Sequence, residues 1–372
     1  MITYMPLIPF YDPEKTYEEN FEKGPFGAFA QGSGDPKGAG GTDYRGNTSV
    51  EPKYDFLGFK VNSPFGIPAG PLLNANFCEE AFEKGFDICV YKTVRSAVFP
   101  CHPWPNVLPI KIEGDLTLLK MKQGVVVDKN NKGIPELITN SFGVPSRAPE
   151  IWQADVKKAV SHAGLGQIVV LSFMGTVKKN QTEEEFIADY ALAARQAMQT
   201  GAKILEVNLS CPNIGNEGLV CFNLDITKRV CEEIKKEIGN TPLIAKIAYF
   251  SNEVDLKILV EEIGNLVQAI SSINTMPAVV LDENGKQALP GEGRLISGLC
   301  GHAIKWAGLE MVRKLKKLRE KFDYSFQIIG VGGVTTADDF FEYREAGADI
   351  VMSATGAMWN PYLARDVKNK LR

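Results

Sequence analysis

The chain has 372 residues, 44% of them hydrophobic and 23% charged, with a formal net charge of −4 at pH 7. These values describe a globular protein with ample core material. They argue against a nucleic-acid binder, because no Lys/Arg-rich run could track phosphates, and no apolar run approaches membrane-spanning length. Met1-Ile2-Thr3-Tyr4-Met5-Pro6 lacks the basic and apolar regions of a secretory signal, so a cytoplasmic protein is expected. Seven cysteines, at 78, 89, 101, 211, 221, 231 and 300, include no C-x-x-C pair, which leaves out the usual zinc and iron–sulfur spacings and points to free thiols.

Residues 1–57 read as a partly flexible N-terminal extension, in which Gln31 to Asn47, rich in Gly with Asp, Lys and Thr, reads as a mobile loop. From Asp55 onward strand-like and helix-like segments alternate, and residues 58–372 read as one domain. Candidate strands are Phe65–Ala69, Asp87–Lys92, Gln167–Ser172, Lys203–Asn208, Leu243–Ala248, Ala269–Asn274, Phe326–Val331 and Asp349–Ser353. Amphipathic stretches at Glu79–Lys84, Ile151–Ala163, Glu183–Thr200, Ile226–Ile238, Val254–Ile263, Gly308–Lys321 and Ala337–Ala346 fall between them. That count fits a (β/α)8 TIM barrel, and a doubly wound open sheet shares the alternation. Two long interruptions, Val94–Pro149 and Thr275–Ile304, follow strands, which puts them on the C-terminal face where barrel active sites lie.

The chemistry concentrates in Glu206-Val207-Asn208-Leu209-Ser210-Cys211-Pro212-Asn213, at the end of the fourth candidate strand. Asn offers a donor and an acceptor together, so Asn208 and Asn213 could clamp the alternating C=O and N–H edge of a planar ring. Cys211 between them could serve as base or nucleophile; in isolation the same stretch reads as a capped junction with an inert Cys. Lys92 and Lys246 interrupt otherwise apolar strands, and a buried ammonium costs several kcal/mol unless it meets an anion. Ser172, Asn274-Thr275, Gly330-Val331-Gly332-Gly333 and Ala354-Thr355-Gly356 add polar or bare-backbone strand ends. Gly332-Gly333 with Thr355-Gly356 match the phosphate site expected after strands seven and eight.

Several of these motifs resemble class 1 dihydroorotate dehydrogenases: Ala69-Gly70, Tyr91-Lys92-Thr93, Asn140-Ser141-Phe142-Gly143-Val144-Pro145, Asn208-Leu209-Ser210-Cys211-Pro212-Asn213, Ile273-Asn274-Thr275, Ile296-Ser297-Gly298 and Ile329-Gly330-Val331-Gly332-Gly333. The resemblance runs from about Asp55 to the C-terminus, and the Asn-Leu-Ser-Cys-Pro-Asn element is its most specific part. It implies an FMN-binding barrel that oxidises (S)-dihydroorotate to orotate in pyrimidine biosynthesis. The implied base is Cys211, with Lys92 also catalytic, and the implied pyrimidine clamp is Asn140, Asn208, Asn213 and Asn274 with Thr275. The backbone of Phe142, Gly143 and Val144, with Lys92, would hold the substrate carboxylate. FMN would meet Ala69, Gly70, Lys92, Thr93, Ser172, Asn208, Lys246, Ser297, Gly298, Gly332, Gly333, Ala354 and Thr355.

The pattern departs from the family at Pro68, where a small residue is expected, and at Phe142, where Met is common. The segment Ile214-Gly215-Asn216-Glu217-Gly218-Leu219-Val220 is similar instead to the related dihydropyrimidine dehydrogenases, which act on uracil and thymine. Those enzymes tend to carry His where this chain has Asn213, so orotate is the expected product. A non-catalytic FMN- or phosphate-binding barrel is the alternative of a different class. The implied electron acceptor is fumarate or, through an FAD/iron–sulfur partner subunit, NAD; a homodimer is expected. His162 reads as a surface residue, His302 as structural, and His102 as lining the pocket entrance or an oligomer contact.

Overall fold

A computed structural model describes residues 8–30, 51–131, 134–210 and 219–372. The Met1–Pro6 terminus, the Gln31–Asn47 loop, Cys211, Asn213 and most of the segment from Ile214 to Val220 lie outside the described residues. Eight parallel strands close a barrel: β1 Phe65–Ile67, β2 Ile88–Arg95, β3 Ile168–Met174, β4 Ile204–Asn208, β5 Leu243–Lys246, β6 Ala269–Ser271, β7 Gln327–Val331 and β8 Ile350–Met352. Pairing runs in chain order, and Val351 of β8 registers with Phe65 of β1, so the open-sheet alternative is removed.

Each strand is followed by a helix packed outside: α1 Ala75–Glu83, α2 Pro149–His162, α3 Glu183–Met198, α4 Leu224–Ile238, α5 Glu253–Ile263, α6 Lys305–Phe322, α7 Ala337–Ala346 and α8 Leu363–Leu371. β3 shows why the strands form: Ile168-Val169-Val170-Leu171 is an apolar run, β-branched in its first three residues and buried on both faces, as a parallel barrel requires. Helix starts are equally local. Thr182 and Glu185 make a capping box ahead of α3, and Thr336 with Asp339 makes another ahead of α7. α1 begins four residues before the expected Glu79, because Asn74 caps it through the N–H groups of Asn76 and Phe77.

The two long interruptions build one structure. Val125–Val126, Met276–Leu281, Ile296–Cys300 and Ile138–Asn140 form a four-stranded sheet in that order over the C-terminal mouth. At the other end a hairpin of Tyr54–Phe56 and Phe59–Val61 sends Phe56 and Val61 into the barrel interior. Within the N-terminal region a helix spans Tyr17–Lys23 behind a Thr16/Glu19 capping box, and Phe10, Tyr11, Tyr17 and Phe29 join the main core. Among the described residues no helix is long and apolar enough to cross a membrane.

Candidate active site

Period-two alternation places the polar groups. Ile88 and Val90 of β2 point into the barrel interior, so Lys92 follows them inward; Ile204 of β4 sets the same parity for Glu206 and Asn208, and Ile244 of β5 for Lys246. All four polar side chains are buried. The Lys246 ammonium makes one hydrogen bond among the described residues, a long one of 3.4 Å from Nζ to the Ala69 carbonyl. The interior of the barrel is therefore apolar in its lower layers and charged just beneath its mouth.

A pocket opens above this layer. It is lined by the expected substrate residues Lys92, Asn140, Phe142, Val144, Asn208, Asn274 and Thr275, and by the expected cofactor residues Ala69, Gly70, Thr93, Lys246, Gly332, Gly333, Ala354 and Thr355. Gly143, Ser172, Ser297 and Gly298 are not in the lining. Gly143 packs behind it, where a Cβ would come within 2.5 Å of the His102 ring. Ser172 Oγ lies 3.0 Å from Thr93 Oγ1, while Ser297 and Gly298 sit on the overlying sheet, with Gly298 registered against Asn140. Asn274 stands three residues beyond β6 rather than at its end as expected, on a turn in which Ile273 takes φ +45°. A β-branched residue in that region costs about 1–3 kcal/mol and persists only where its surroundings dictate it.

The carboxamides meet across the mouth. Asn208 Oδ1 accepts from Ser210 N at 3.1 Å and from Asn274 Nδ2 at 3.5 Å, and Asn274 Oδ1 accepts from Thr275 N at 2.8 Å. Asn274 Nδ2 also donates to the Ser210 carbonyl. These contacts leave the Asn208 Nδ2 group without an acceptor among the described residues. On the opposite wall, Gly143 and Val144 both have positive φ, +75° and +54°, and the N–H groups of Phe142, Gly143 and Val144 meet no acceptor among the described residues.

The glycine wall is bare backbone for a steric reason. Gly333 has φ +69°, and a Cβ there would lie 2.6 Å from the Lys305 backbone nitrogen. The N–H groups of Gly332, Gly333 and Val334 find no acceptor among the described residues. His302 Nδ1 sits 3.2 Å from the Gly333 carbonyl and 3.1 Å from Thr335 Oγ1, a structural contact as expected. His162 ends α2, with Nδ1 3.3 Å from Glu79. Behind the wall Asp339 ties Lys305 to the N–H groups of Thr335 and Thr336. Burial opposes its ionisation, but Lys305 and those N–H groups prevail and hold its carboxyl at about 2.

Two lining residues, Tyr11 and Cys300, and one carboxylate buried below the pocket, Glu206, have no role legible in the local sequence. Tyr11 enters from the N-terminal region, its ring edge-on to Phe142 at 5.4 Å and 87°. The sequence signals only order there: the Thr16-x-x-Glu19 capping box marks an ordered helix in a segment dense in aromatics. Cys300 lines the pocket from the overlying sheet, and burial pushes its thiol up to about 11 against Thr355 and Lys246. Glu206 is fully buried beneath Asn208, registered against Ser172, and among the described residues neither carboxylate oxygen has a hydrogen-bond donor at normal geometry. Burial raises its carboxyl above the usual range, against the pull of Lys246 and Ser172.

Comparison with known proteins agrees with this geometry. A family model described as dihydroorotate dehydrogenase matches residues 53–372. A dihydroorotate dehydrogenase of Dictyostelium discoideum is 36% identical over 366 residues, covering 96% of this chain and 95% of the relative. The catalytic subunit of dihydroorotate dehydrogenase B (NAD(+)) from Oceanobacillus iheyensis is 35% identical over 193 residues, 50% of this chain and 59% of its own. The same subunit from Thermoplasma acidophilum is 29% identical over 268 residues, 67% of this chain and 85% of its own. The chain belongs to the dihydroorotate dehydrogenase family.

Proposed function

We propose that this protein oxidises (S)-dihydroorotate to orotate with FMN, in pyrimidine biosynthesis. The observation that carries the reading, beside family membership, is the convergence of two buried lysines, the Asn208–Asn274 pair, and Phe142 and Val144, whose N–H groups meet no acceptor among the described residues, on one pocket. The residues fit FMN. Lys246 and Lys92 would supply positive charge beneath an electron-accepting ring, and the Gly332–Val334 N–H groups beside Thr355 would take its phosphate. When bound, FMN would accept the hydride at N5.

The remaining steps belong to the chain. Cys211, three residues beyond Asn208, would remove the proton from the carbon α to the substrate carbonyl. Asn208 and Asn274, with Asn140 and Asn213, would read the ring edge, so that a wrong ring leaves buried polar groups unpaired. The N–H groups of residues 142–144 and Lys92 would hold the carboxylate. For re-oxidation, fumarate entering the same pocket and NAD acting through an FAD/iron–sulfur partner subunit both fit this chemistry. A cytoplasmic homodimer is part of the proposal.

The experiment is anaerobic bleaching of the flavin band by dihydroorotate and by dihydrouracil in separate cuvettes. Bleaching by dihydroorotate alone is expected. Bleaching by dihydrouracil alone would transfer the protein to pyrimidine catabolism, and a protein that cannot be loaded with FMN would sink the enzymatic reading altogether.

A further inference from the structure

The loop from Asn140 to Ser146 is gripped from behind by two buried arginines. Arg294 donates from Nε to Ser141 Oγ at 3.2 Å and from Nη2 to the Ser141 carbonyl at 3.0 Å. Its remaining donors reach the carbonyls of Pro103, Pro105 and Pro290. Arg95 donates from Nε to the Val144 carbonyl at 2.9 Å and from Nη2 to the Gly143 carbonyl at 3.1 Å, its guanidinium lying 4.0 Å over the Phe99 ring. His102 N donates to the intervening Phe142 carbonyl at 3.0 Å.

The consequence is directional. Four successive carbonyls, those of Ser141, Phe142, Gly143 and Val144, are engaged by donors behind the loop, and the N–H groups of Phe142, Gly143 and Val144 are left without an acceptor among the described residues. Successive N–H groups in such a turn form an anion-binding concavity. Val144 would not hold φ +54° unaided, and the bond from Arg95 to its carbonyl fixes it there. Charge adds to geometry. All of the Arg294 hydrogen bonds go to neutral oxygens, and among the described residues no carboxylate pairs with it, so a full positive charge sits one residue from Asn140 and Phe142.

We propose that Arg294, acting with Arg95, is a positioning residue that makes this pocket select a carboxylate-bearing pyrimidine over a neutral one. It does so by holding the 141–144 carbonyls outward and by lending the loop an unbalanced positive charge. The inference rests on the functional reading above and goes beyond it, because neither arginine touches the pocket.

The test uses the FMN-loaded enzyme and its Arg294→Met and Arg294→Lys variants, titrated with orotate and with uracil while the flavin absorbance is followed. A lost charge-assisted contact predicts a ~10- to 100-fold weaker orotate affinity in Arg294→Met. FMN occupancy and uracil affinity should stay unchanged, with KM for dihydroorotate rising far more than kcat falls. Arg294→Lys, which keeps the charge and loses the fork, should fall between. Should Arg294→Met not fold, Arg294→Lys and Arg95→Lys carry the same comparison, and each must lower the orotate-to-uracil preference. An unchanged preference, or equal loss of both ligands, overturns the proposal. A wild-type enzyme that dihydroorotate does not bleach overturns the functional reading first and this inference with it; a wild type that is bleached beside variants of unchanged preference overturns the inference alone.

Discussion

Asn274 Nδ2 stands 3.5 Å from Asn208 Oδ1, joining the ends of β4 and the turn after β6 across the barrel mouth. Because Ser210 N donates to the same oxygen, the Asn208 side chain is held through Oδ1, and its Nδ2 group has no acceptor among the described residues. Asn208→Ala is therefore expected to lower kcat/KM by ~10- to 100-fold, the worth of one or two hydrogen bonds in a buried site. Asn274→Ala should produce a smaller loss that is not additive with it, because the second change removes support already lost. Steady-state kinetics of the two single variants and the double variant decide this; full additivity would show that the pair does not act as a unit.

Cys211 is the proposed base. Cys211→Ala is expected to retain the yellow colour of bound FMN and to slow flavin reduction by dihydroorotate ~10²- to 10⁴-fold, the usual contribution of a positioned base. Stopped-flow bleaching measures it. Reduction at the wild-type rate would remove the assignment.

At the opposite end of the barrel, Lys368 of α8 contacts fully buried Asp87 at 2.8 Å, and Ser63 shares the carboxylate. Burial raises the Asp87 carboxyl even against Lys368. Lys368→Met would leave that charge uncompensated, at a cost of about 3–5 kcal/mol near neutral pH. Denaturant unfolding should show it, with little effect on the orotate affinity of the folded protein. A loss below 1 kcal/mol would mean that water already reaches Asp87.

Glu206 provides a pH prediction. Its folded-state carboxyl is raised from 4.5, so its favourable contribution is complete below that value and is lost as pH rises through the folded-state value. Glu206→Gln cannot ionise, so its melting temperature relative to the wild type should climb as pH increases from 4.5 toward neutrality. A difference that stays flat with pH would show that the carboxyl does not titrate in this window.

The alternation of strands and helices is readable because each element's burial is written in local sequence: β3 opens on the β-branched run Ile168-Val169-Val170, and α3 and α7 announce themselves by capping boxes. The pocket lysines were readable for the same reason, since an ammonium in an apolar strand demands a partner wherever the strand goes. The packing of the N-terminal region is not legible locally, because its contacts lie far off in sequence: Tyr11 meets Phe142, and Phe10 N donates to the Met358 carbonyl. Closure of the sheet, visible in the Val351–Phe65 register, likewise joins chain ends that no local pattern relates.

What the sequence by itself determined is the repeating unit, the strand ends that face one site, and the motifs that mark the family. Tertiary structure alone decided that the two insertions pair into a sheet over the mouth, that Ile273 and Val144 adopt positive φ, and that Arg95 and Arg294 turn a loop's carbonyls outward. The reason is physical. Strand parity and helix caps are fixed by neighbours within a few residues, whereas a strained turn or an outward carbonyl exists only where donors from distant segments converge to hold it.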